Sequence, residues 1–283
     1  MVSQLQNRPD LTTPVSYSNA AATGSDLKVN ARLAWIMIKR DLVARYHGSF
    51  LGAFWPFINP LGHLLLYTFV FSIILKVRFG NSDSTANFAV YLMAGLIPWG
   101  AFAEAIARST TVILEMPNLV KKVVFPLEIL PVVTSSASLL SQMAALALLM
   151  VIGAFHAHAL HPTVLLLPIV LVFQLLFTTG LAWTLASLGV FVRDIKHFIA
   201  LALSGWMYAT PIVYPASAFP SELRWVTMIN PMSGIVQDYR RLLLEGQLPD
   251  WGNMAIYGSI SIATAILGYY FFAKTKKSFA DVM

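Results

Sequence analysis

The chain alternates long apolar stretches with short polar ones. Six stretches are long enough to cross a bilayer, which takes about 20 mostly apolar residues per helix. They fall at about 51–75, 88–111, 130–154, 163–191, 197–214 and 252–273. The runs are too long and too uniformly apolar for barrel strands, and open strands would leave backbone polar groups unpaired in lipid. The pattern predicts an all-α integral membrane protein with six transmembrane helices.

A different pattern precedes the first apolar stretch. Residues 1–27 are polar and aperiodic, without the apolar core of a signal peptide, which predicts a disordered cytoplasmic tail. Residues 28–49 combine a rough helical stripe of apolar residues with interspersed cations. Its apolar residues are Leu33, Ile36, Met37, Val43 and Tyr46, and its cations are Arg32, Lys39, Arg40 and Arg45. This predicts an amphipathic helix on the membrane surface, with a plain anchor as the alternative.

Prolines divide the connection between the fifth and sixth stretches. Pro211, Pro215, Pro220, Pro231 and Pro249 separate short apolar pieces such as LRWVTMI and MSGIVQDYRRLLL. One straight helix is excluded, because an interior proline removes a hydrogen bond and clashes with the preceding turn. Irregular backbone at membrane depth is tolerated where it is buried in protein or lines a cavity. We therefore predict short re-entrant helices that dip into the outer leaflet.

Composition supports a lipid environment and sets the orientation. Hydrophobic residues make up 57% and charged residues 11% of the 283 residues, whereas about 25% of a soluble domain is charged. Of the 19 Lys and Arg residues, 14 lie on the side of the six spans that holds both termini. Because cytoplasmic loops carry the basic excess, both termini are predicted in the cytoplasm, and the net charge of +6 needs no nucleic acid to explain it.

The sequence carries no motif for catalysis. It lacks G-x-x-x-x-G-K-[ST], so the chain is not expected to hydrolyse ATP itself. It also has no cysteine, which excludes thiol chemistry. His156, His158 and His161 lie in a short outer hairpin without a neighbouring carboxylate, so we predict no metal site there. Glu104 and Arg108 have the spacing of a self-neutralising pair in the second span.

Aromatic residues are frequent near the ends and breaks of the predicted spans. Flat amphipathic rings suit a sugar, whose faces are partly apolar and whose hydroxyls need polar partners. This predicts a substrate channel, and the alternative for each ring is a place in the interfacial belt or the core. The candidates are Trp55, Tyr67, Trp99, Trp206, Tyr208 and Tyr214.

Two predicted cytoplasmic loops mix charged and apolar residues. In Glu115–Pro131, Pro117 favours the start of a short helix that carries Lys121 and Lys122 among valines. In Phe191–Phe198, the sequence FVRDIKHF forms a compact charged turn. Each loop predicts either a docking surface for a soluble partner or a plain solvated turn.

Together these segments resemble the membrane subunit of polysaccharide-exporting ABC transporters of the ABC-2 type. Arg40–Leu75 is similar to the family's entry segment and first span, and YLMAGLIPWGAFAEAI is similar to its second. NLVKKVVFPLEILPV and VFVRDIKHF are similar to its two cytoplasmic coupling regions. TPIVYP and NPMSGIVQDYRRLLLEG are similar to its outer re-entrant helices. The resemblance assigns residues 50–283 to an ABC-2 type transmembrane domain and covers roughly residues 30–283.

The resemblance implies a homodimeric permease in the bacterial inner membrane. Two separate ATPase subunits would bind ATP and Mg²⁺, so that this chain needs no cofactor of its own. The dimer would move a lipid-linked glycan, commonly linked to undecaprenyl diphosphate, out of the cytoplasm. The coupling residues it implies are Pro117, Asn118, Lys121, Lys122, Arg193, Asp194 and Lys196. Arg40 and Arg45 are candidates for contact with a diphosphate headgroup or membrane lipid.

The same pattern of apolar segments is compatible with other functions. O-antigen-type export is favoured within the family, with capsule or teichoic acid precursors, drugs and small lipids as alternative cargoes. A secondary transporter coupled to an ion is a different class, but it needs an unpaired carboxylate within the spans, and the sequence offers none. An intramembrane glycosyltransferase is disfavoured because no cluster of metal-binding carboxylates is present.

Overall fold

The structure is a computed structural model that describes residues 24–46, 49–50, 52–74, 85–122, 125–157, 161–214 and 220–283. All regular structure in these segments is helical. The helices are α1 Gly24–Tyr46, α2 Trp55–Tyr67, α3 Thr85–Ser109, α4 Pro117–Lys122, α5 Ile129–Ala157, α6 Leu167–Phe191, α7 Ile195–Ala209, α8 Arg224–Ile229, α9 Pro231–Arg240, α10 Trp251–Thr275 and α11 Phe279–Val282. π-helical turns extend α2 over Thr68–Ile74 and α9 over Arg241–Glu245.

Four of the six predicted spans are confirmed as long apolar helices. Within the described residues these are Phe88–Ser109, Ile129–Ala154, Pro162–Phe191 and Trp251–Val282. Their apolar runs match the bilayer thickness at the rise of an α-helix. Each begins and ends within a few residues of the predicted span, except that the last helical run continues to Val282.

The first and fifth predicted spans differ from a single long helix. The first divides into a 3₁₀ turn at Gly52–Phe54, α2 with Pro60 inside it, and the π-helical turn. The fifth is α7, which has 15 residues and ends at Ala209, before the predicted end at residue 214. Thr210 is extended because it precedes Pro211, and proline disfavours helical backbone in the residue before it. The six-span count therefore stays a prediction for these two segments.

Helix α1 begins at Gly24, four residues before the predicted helix, so residues 24–27 belong to the helix and not to the tail. Residues 1–23 and 47–48 lie outside the described residues. Met37 and Ile38 are buried against the protein, whereas Trp35 and Val43 are exposed. One face of α1 is therefore packed and another is free, and its place at the membrane surface stays a prediction.

Helices α6 and α10 pack closely against each other along much of their length. A Cβ atom on Gly268 would lie 2.0 Å from the carbonyl oxygen of Gly180, and a Cβ on Gly180 would lie 2.5 Å from the backbone of Thr264. Only residues without a side chain let the two backbones approach this closely, as is common between membrane helices. This pair is therefore held by direct contact between the two helix backbones.

The predicted short helices between α7 and α10 are present. In α9 nearly every side chain is buried, among α3, α6 and α10. Asn230 caps its N-terminus, since its side-chain oxygen accepts a hydrogen bond of 3.1 Å from the Met232 N–H, and Pro231 occupies the first turn. The depth of α8 and α9 in a bilayer stays a prediction.

A cluster of apolar residues joins α1 to the C-terminal helix α11. It includes Met37 of α1, Ile113 after α3, Leu130 of α5, Val190 of α6 and Phe279 of α11, all buried. Leu119 of α4 packs against it. We refer to this cluster as the α1–α11 layer. It brings the ends of five helices that are far apart in the sequence into one packed unit.

We predict that Gly268→Ala destabilises the chain by forcing α6 and α10 apart. Overpacking of this kind costs roughly 1–3 kcal/mol, so the apparent melting temperature in detergent falls. Gly205→Ala is the matched control, because Gly205 lies in α7 with no atom within 4 Å of its virtual Cβ. Alanine is also the better helix former there by about 1 kcal/mol. Equal melting temperatures for both variants would contradict the close α6–α10 contact.

Candidate functional site

An ion-pair cluster joins α1 to α3 and α5. Arg108 donates two hydrogen bonds to the Asp41 carboxylate, at 2.9 and 2.5 Å. Arg45 donates to the same carboxylate at 3.0 Å, to Glu104, and to the Ser138 hydroxyl at 3.2 Å. The predicted Glu104–Arg108 pair is only part of this cluster, with 3.8 Å between its closest charged atoms. Asp41 and Ser138 complete the cluster.

The cluster balances two cations with two carboxylates. Burial disfavours ionised Asp41, but the hydrogen bonds and charge of Arg108, together with those of Arg45, outweigh it and lower the pKa of Asp41. A carboxyl whose pKa is lower in the folded state stabilises the fold above its unfolded pKa. This stabilisation is lost as the pH falls through the folded value. The Asp41 contacts are therefore intact at neutral pH.

The two predicted headgroup cations have different surroundings. The Arg45 side chain is 11% exposed and bound to its partners in the cluster. Headgroup contact by Arg45 would therefore have to displace Asp41 or Glu104. Arg40 is exposed and lies with Lys39, Val43 and Ala44 around a shallow surface depression. Of the two predicted cations, Arg40 is the accessible one, and its contact with a headgroup stays a prediction.

A cavity of about 370 Å³ lies between α2, α3 and α5. Its apolar walls include Met93, Leu96, Ile97, Ala145 and the ring of Trp99. Its polar lining consists of Asn59, His63, Glu104, Ser141 and Gln142. Since Glu104 also binds Arg45, the cavity and the ion-pair cluster adjoin each other. The size lies within the range of roughly 300–1,000 Å³ found for ligand pockets.

Two of the predicted channel aromatics belong to one buried cluster. Trp99 is 5% exposed, and its ring centroid lies 5.4 Å from that of Phe102 and 6.5 Å from that of Trp206. Phe177 stacks on Phe102 at 5.6 Å. The Trp206 indole N–H donates to the Asn230 side-chain oxygen at 3.0 Å. Trp206 is therefore a core residue of the single chain, and Trp99 is both a core residue and a wall of the cavity.

The other predicted channel aromatics lie apart from this cluster. The Trp55 indole N–H donates to Ser49 Oγ at 2.7 Å. Tyr208 is 63% exposed, and its carbonyl oxygen accepts a hydrogen bond from the Tyr214 hydroxyl. Tyr67 ends α2, and its side chain lies outside the described residues. The single chain does not bring the described members of the set to one path, and their role in a channel stays a prediction.

Three buried polar side chains form a closed ring of hydrogen bonds. Gln142 of α5 donates to the Tyr239 hydroxyl at 2.7 Å, Tyr239 of α9 donates to the Gln174 oxygen at 2.8 Å, and Gln174 of α6 donates to the Gln142 oxygen at 3.2 Å. Gln174 also donates to the Pro98 carbonyl at 3.1 Å. Sequence analysis missed this ring, although amide side chains within apolar spans are a signal of interhelical contact.

Arg240 fixes α9 to the segment that follows α7. The sequence assigned it to the outer loops, but its side chain is fully buried. It donates to the carbonyl oxygens of Pro211 and Ile212, both at 2.7 Å, and to that of Tyr91 at 3.3 Å. Its guanidinium lies 3.7 Å from the centroid of the Tyr91 ring, a cation–π contact. These partners allow a buried charge without a carboxylate.

The predicted coupling residues lie in two short connections between the longer helices, one between α3 and α5 and the other between α6 and α7. Arg193, Asp194 and Lys196 are exposed at the turn from α6 to α7. Pro117 and Asn118 are exposed at the start of α4. Lys121 and Lys122 end α4, but their side chains lie outside the described residues. The exposed charges are accessible to a soluble partner, and their role in coupling stays a prediction.

Both coupling segments adjoin the α1–α11 layer. Leu119 of α4 packs against it, and Val190 belongs to it two residues before the α6–α7 turn begins. Glu128, which follows α4, pairs with Lys276 after α10, and its carbonyl oxygen accepts a hydrogen bond of 2.9 Å from Trp183. A displacement of either segment therefore acts on the same packed layer.

Long apolar helices with a buried polar core, and exposed charges at the α6–α7 turn, are features of a membrane protein with several spans. Residues 32–244 match the ABC-2 type transporter family, so the chain belongs to this family. The match includes α2 to α9 and the part of α1 from residue 32 onward, and it therefore covers both coupling segments. The resemblance inferred from the sequence is thereby confirmed.

Several relatives of the chain are named for O-antigen export or polysialic acid transport. The chain is 31% identical to an O-antigen export system permease protein RfbA from Myxococcus xanthus, over 87% of this chain and 93% of the relative. It is 28% identical to an RfbA protein from Klebsiella pneumoniae, over 88% and 93%. It is 22% identical to the polysialic acid transport protein KpsM from Escherichia coli, over 81% and 88%.

We predict that Asp41→Asn loosens α1 from the bundle, because Arg108 and Arg45 lose a shared carboxylate. The Arg108 side chain is 37% exposed, so solvent screens part of the loss, and we expect about 1 kcal/mol. Hydrogen–deuterium exchange of α1 measures this as faster exchange. Asp281→Asn is the matched control, since Asp281 is exposed near the C-terminus. Unchanged exchange in Asp41→Asn would show that the cluster does not hold α1.

Proposed function

We propose that this chain is the permease subunit of an ATP-driven exporter that moves a lipid-linked polysaccharide of the O-antigen type. The observation that carries the proposal is the 31% identity to an O-antigen export permease over 93% of that protein's length. In this proposal two copies of the chain form a homodimer in the bacterial inner membrane, with all termini in the cytoplasm. Two separate ABC ATPase subunits bind ATP and Mg²⁺ at the cytoplasmic face.

Among related cargoes, the similarities favour O-antigen over capsule. Identity is 31% and 28% to the two O-antigen export permeases but 22% to the polysialic acid transport protein. A glycan attached to a lipid carrier agrees with a protein that combines apolar outer surfaces with an internal cavity whose apolar walls carry several polar side chains. A teichoic acid precursor, drug or small lipid remains an alternative cargo for the same architecture, to be separated by the substrate test below.

The carboxylates in the described part of the chain agree with transport that is driven by ATP and not by an ion gradient. A carrier coupled to an ion needs a carboxylate in the spans that is free to bind and release the ion. Glu104, at one end of a span, is bound to Arg45 and lies near Arg108. Asp238 of α9 accepts a hydrogen bond of 2.7 Å from the Tyr257 hydroxyl. Both carboxylates thus have protein partners.

The α1–α11 layer provides a physical route for coupling. ATP binding would move the partner subunits, and the exposed segments at Pro117–Asn118 and Arg193–Lys196 would receive that movement. Leu119 and Val190 then pass it to the layer, which also contains Met37 of α1. Because α1 is bound to α3 and α5 through Asp41 and Arg45, its displacement changes contacts beside the cavity. Coupling requires such differences in contact between two states.

We predict that the lipid-linked glycan stimulates ATP hydrolysis by the reconstituted complex severalfold. The chain is co-expressed with candidate ABC ATPases, co-purified and placed in lipid nanodiscs for the measurement. Hydrophobic drugs and the glycan-free lipid carrier serve as controls and are expected to leave the rate unchanged. Stimulation by drugs alone would contradict the cargo, and transport that needs an ion gradient but no ATPase would contradict the whole proposal.

We predict that charge reversal in the coupling segments weakens binding of the ATPase subunit. Asp194→Lys and Lys121→Glu each place a repelling charge at the expected contact, and we expect about tenfold weaker association, or about 1.4 kcal/mol. Microscale thermophoresis in nanodiscs measures the affinity. Glu222→Lys is the control, because Glu222 is exposed in the connection between α7 and α8, on the predicted outer side. Equal affinity in all three variants would remove the coupling assignment.

A further inference from the structure

We propose that the cavity between α2, α3 and α5 is a saccharide subsite in which Gln142 helps to select the sugar. The inference rests on the proposed function, because it takes the cargo to be a glycan. It adds a defined place within each chain where part of the glycan binds, together with the chemistry of that place. The ion-pair cluster borders one end of this cavity through Glu104.

The cavity lining suits a sugar better than an acyl chain. Trp99 contributes an indole to the wall, and such a ring matches the apolar face of a pyranose. Asn59 and Gln142 contribute amide groups that can donate and accept. A hydrocarbon chain in the cavity would remove these groups from water without replacing their hydrogen bonds, which is unfavourable. Hydroxyl groups of a sugar replace those bonds.

Gln142 is held in a fixed orientation for this task. The ring with Tyr239 and Gln174 occupies one of its two N–H groups and one acceptor site of its oxygen. An amide has two donors and two acceptor sites, so half of its capacity remains for a ligand. Gln142 is also one of the residues that line the cavity. Polar groups whose orientation is fixed before binding discriminate best between ligands.

Selectivity then follows from hydrogen bonding and not from shape alone. A hydroxyl in the correct position satisfies Gln142, whereas a ligand without that hydroxyl leaves a buried amide group unpaired. The same amide binds Tyr239 of α9 and, through Gln174, the Pro98 carbonyl of α3. Sugar recognition at the cavity therefore uses the hydrogen bonds that position α9 in the bundle.

The absence of cysteine from the chain allows a direct test. Ser141→Cys introduces a single thiol into the cavity lining, and Ser278→Cys introduces one at an exposed position after α10. Both are labelled with a charged methanethiosulfonate reagent in the nanodisc complex with the ATPase. The probes are the lipid-linked glycan from the source strain, the glycan released from it by mild acid, and the remaining lipid carrier.

We expect the intact glycolipid and the released glycan to slow labelling of Ser141→Cys severalfold, and the lipid carrier to leave it unchanged. Labelling of Ser278→Cys should not respond to any probe. Protection by the carrier alone would make the cavity a lipid site and overturn the proposal. If the glycolipid stimulates ATP hydrolysis but none of the probes protects, the saccharide subsite fails while the proposed function stands. If it neither stimulates nor protects, both fail.

A separate substitution tests the role of Gln142. Gln142→Met keeps the side-chain length and removes the amide, and in the Ser141→Cys background we expect protection to need about tenfold more released glycan, or about 1.4 kcal/mol. Gln247→Met is the matched control, since Gln247 is exposed outside the cavity. Normal elution and helix content of Gln142→Met show that the variant is folded, although we expect the loss of its bonds to Tyr239 and Gln174 to lower the melting temperature. Unchanged protection in such a folded variant would overturn the role of Gln142.

Discussion

The arrangement of this protein depends on the lack of water in the hydrocarbon of a bilayer. Backbone polar groups must then pair within the chain, which favours helices. Buried polar side chains face the same requirement, because each unpaired group costs free energy. The amide ring around Gln142, the carbonyl contacts of Arg240 and the ion pairs of Asp41 are three solutions to it. Each also joins helices that are distant in the sequence.

The spans could be predicted where length and apolar composition were sufficient, and α3, α5, α6 and α10 are present as expected. The helix boundaries in the first and fifth segments were less predictable, because the hydropathy of a segment does not indicate where a proline interrupts its helix. Pro60 lies within α2, and Thr210 before Pro211 ends α7. The short helices after α7 were predicted from their prolines, but the burial of α9 against α3, α6 and α10 was not.

The candidate site was predictable only in its local parts. The charges of the α6–α7 turn are adjacent in the sequence, and they are exposed as a turn requires. The partners of Glu104 and Arg108 were missed because Asp41 is 67 residues from Arg108. Arg240 lies 149 residues from Tyr91, and neither residue signals the other. Pairing over such distances is a property of the fold, so the amide ring and the cavity became visible only in the structure.

The contacts between the helices differ in kind from one part of the bundle to another. Helices α6 and α10 touch through glycine backbones, and packing this close has one favourable arrangement. Helix α1 instead touches α3 and α5 through part-exposed ion pairs, whose net contribution in water is small. It is also part of the α1–α11 layer, next to both coupling segments. Because a given force displaces the weaker contact first, we infer that a force on the coupling segments displaces α1 more readily than the α6–α10 pair. The cavity between α2, α3 and α5 adjoins the ion pairs of α1 through Glu104, so a displacement of α1 changes the contacts at the edge of the cavity.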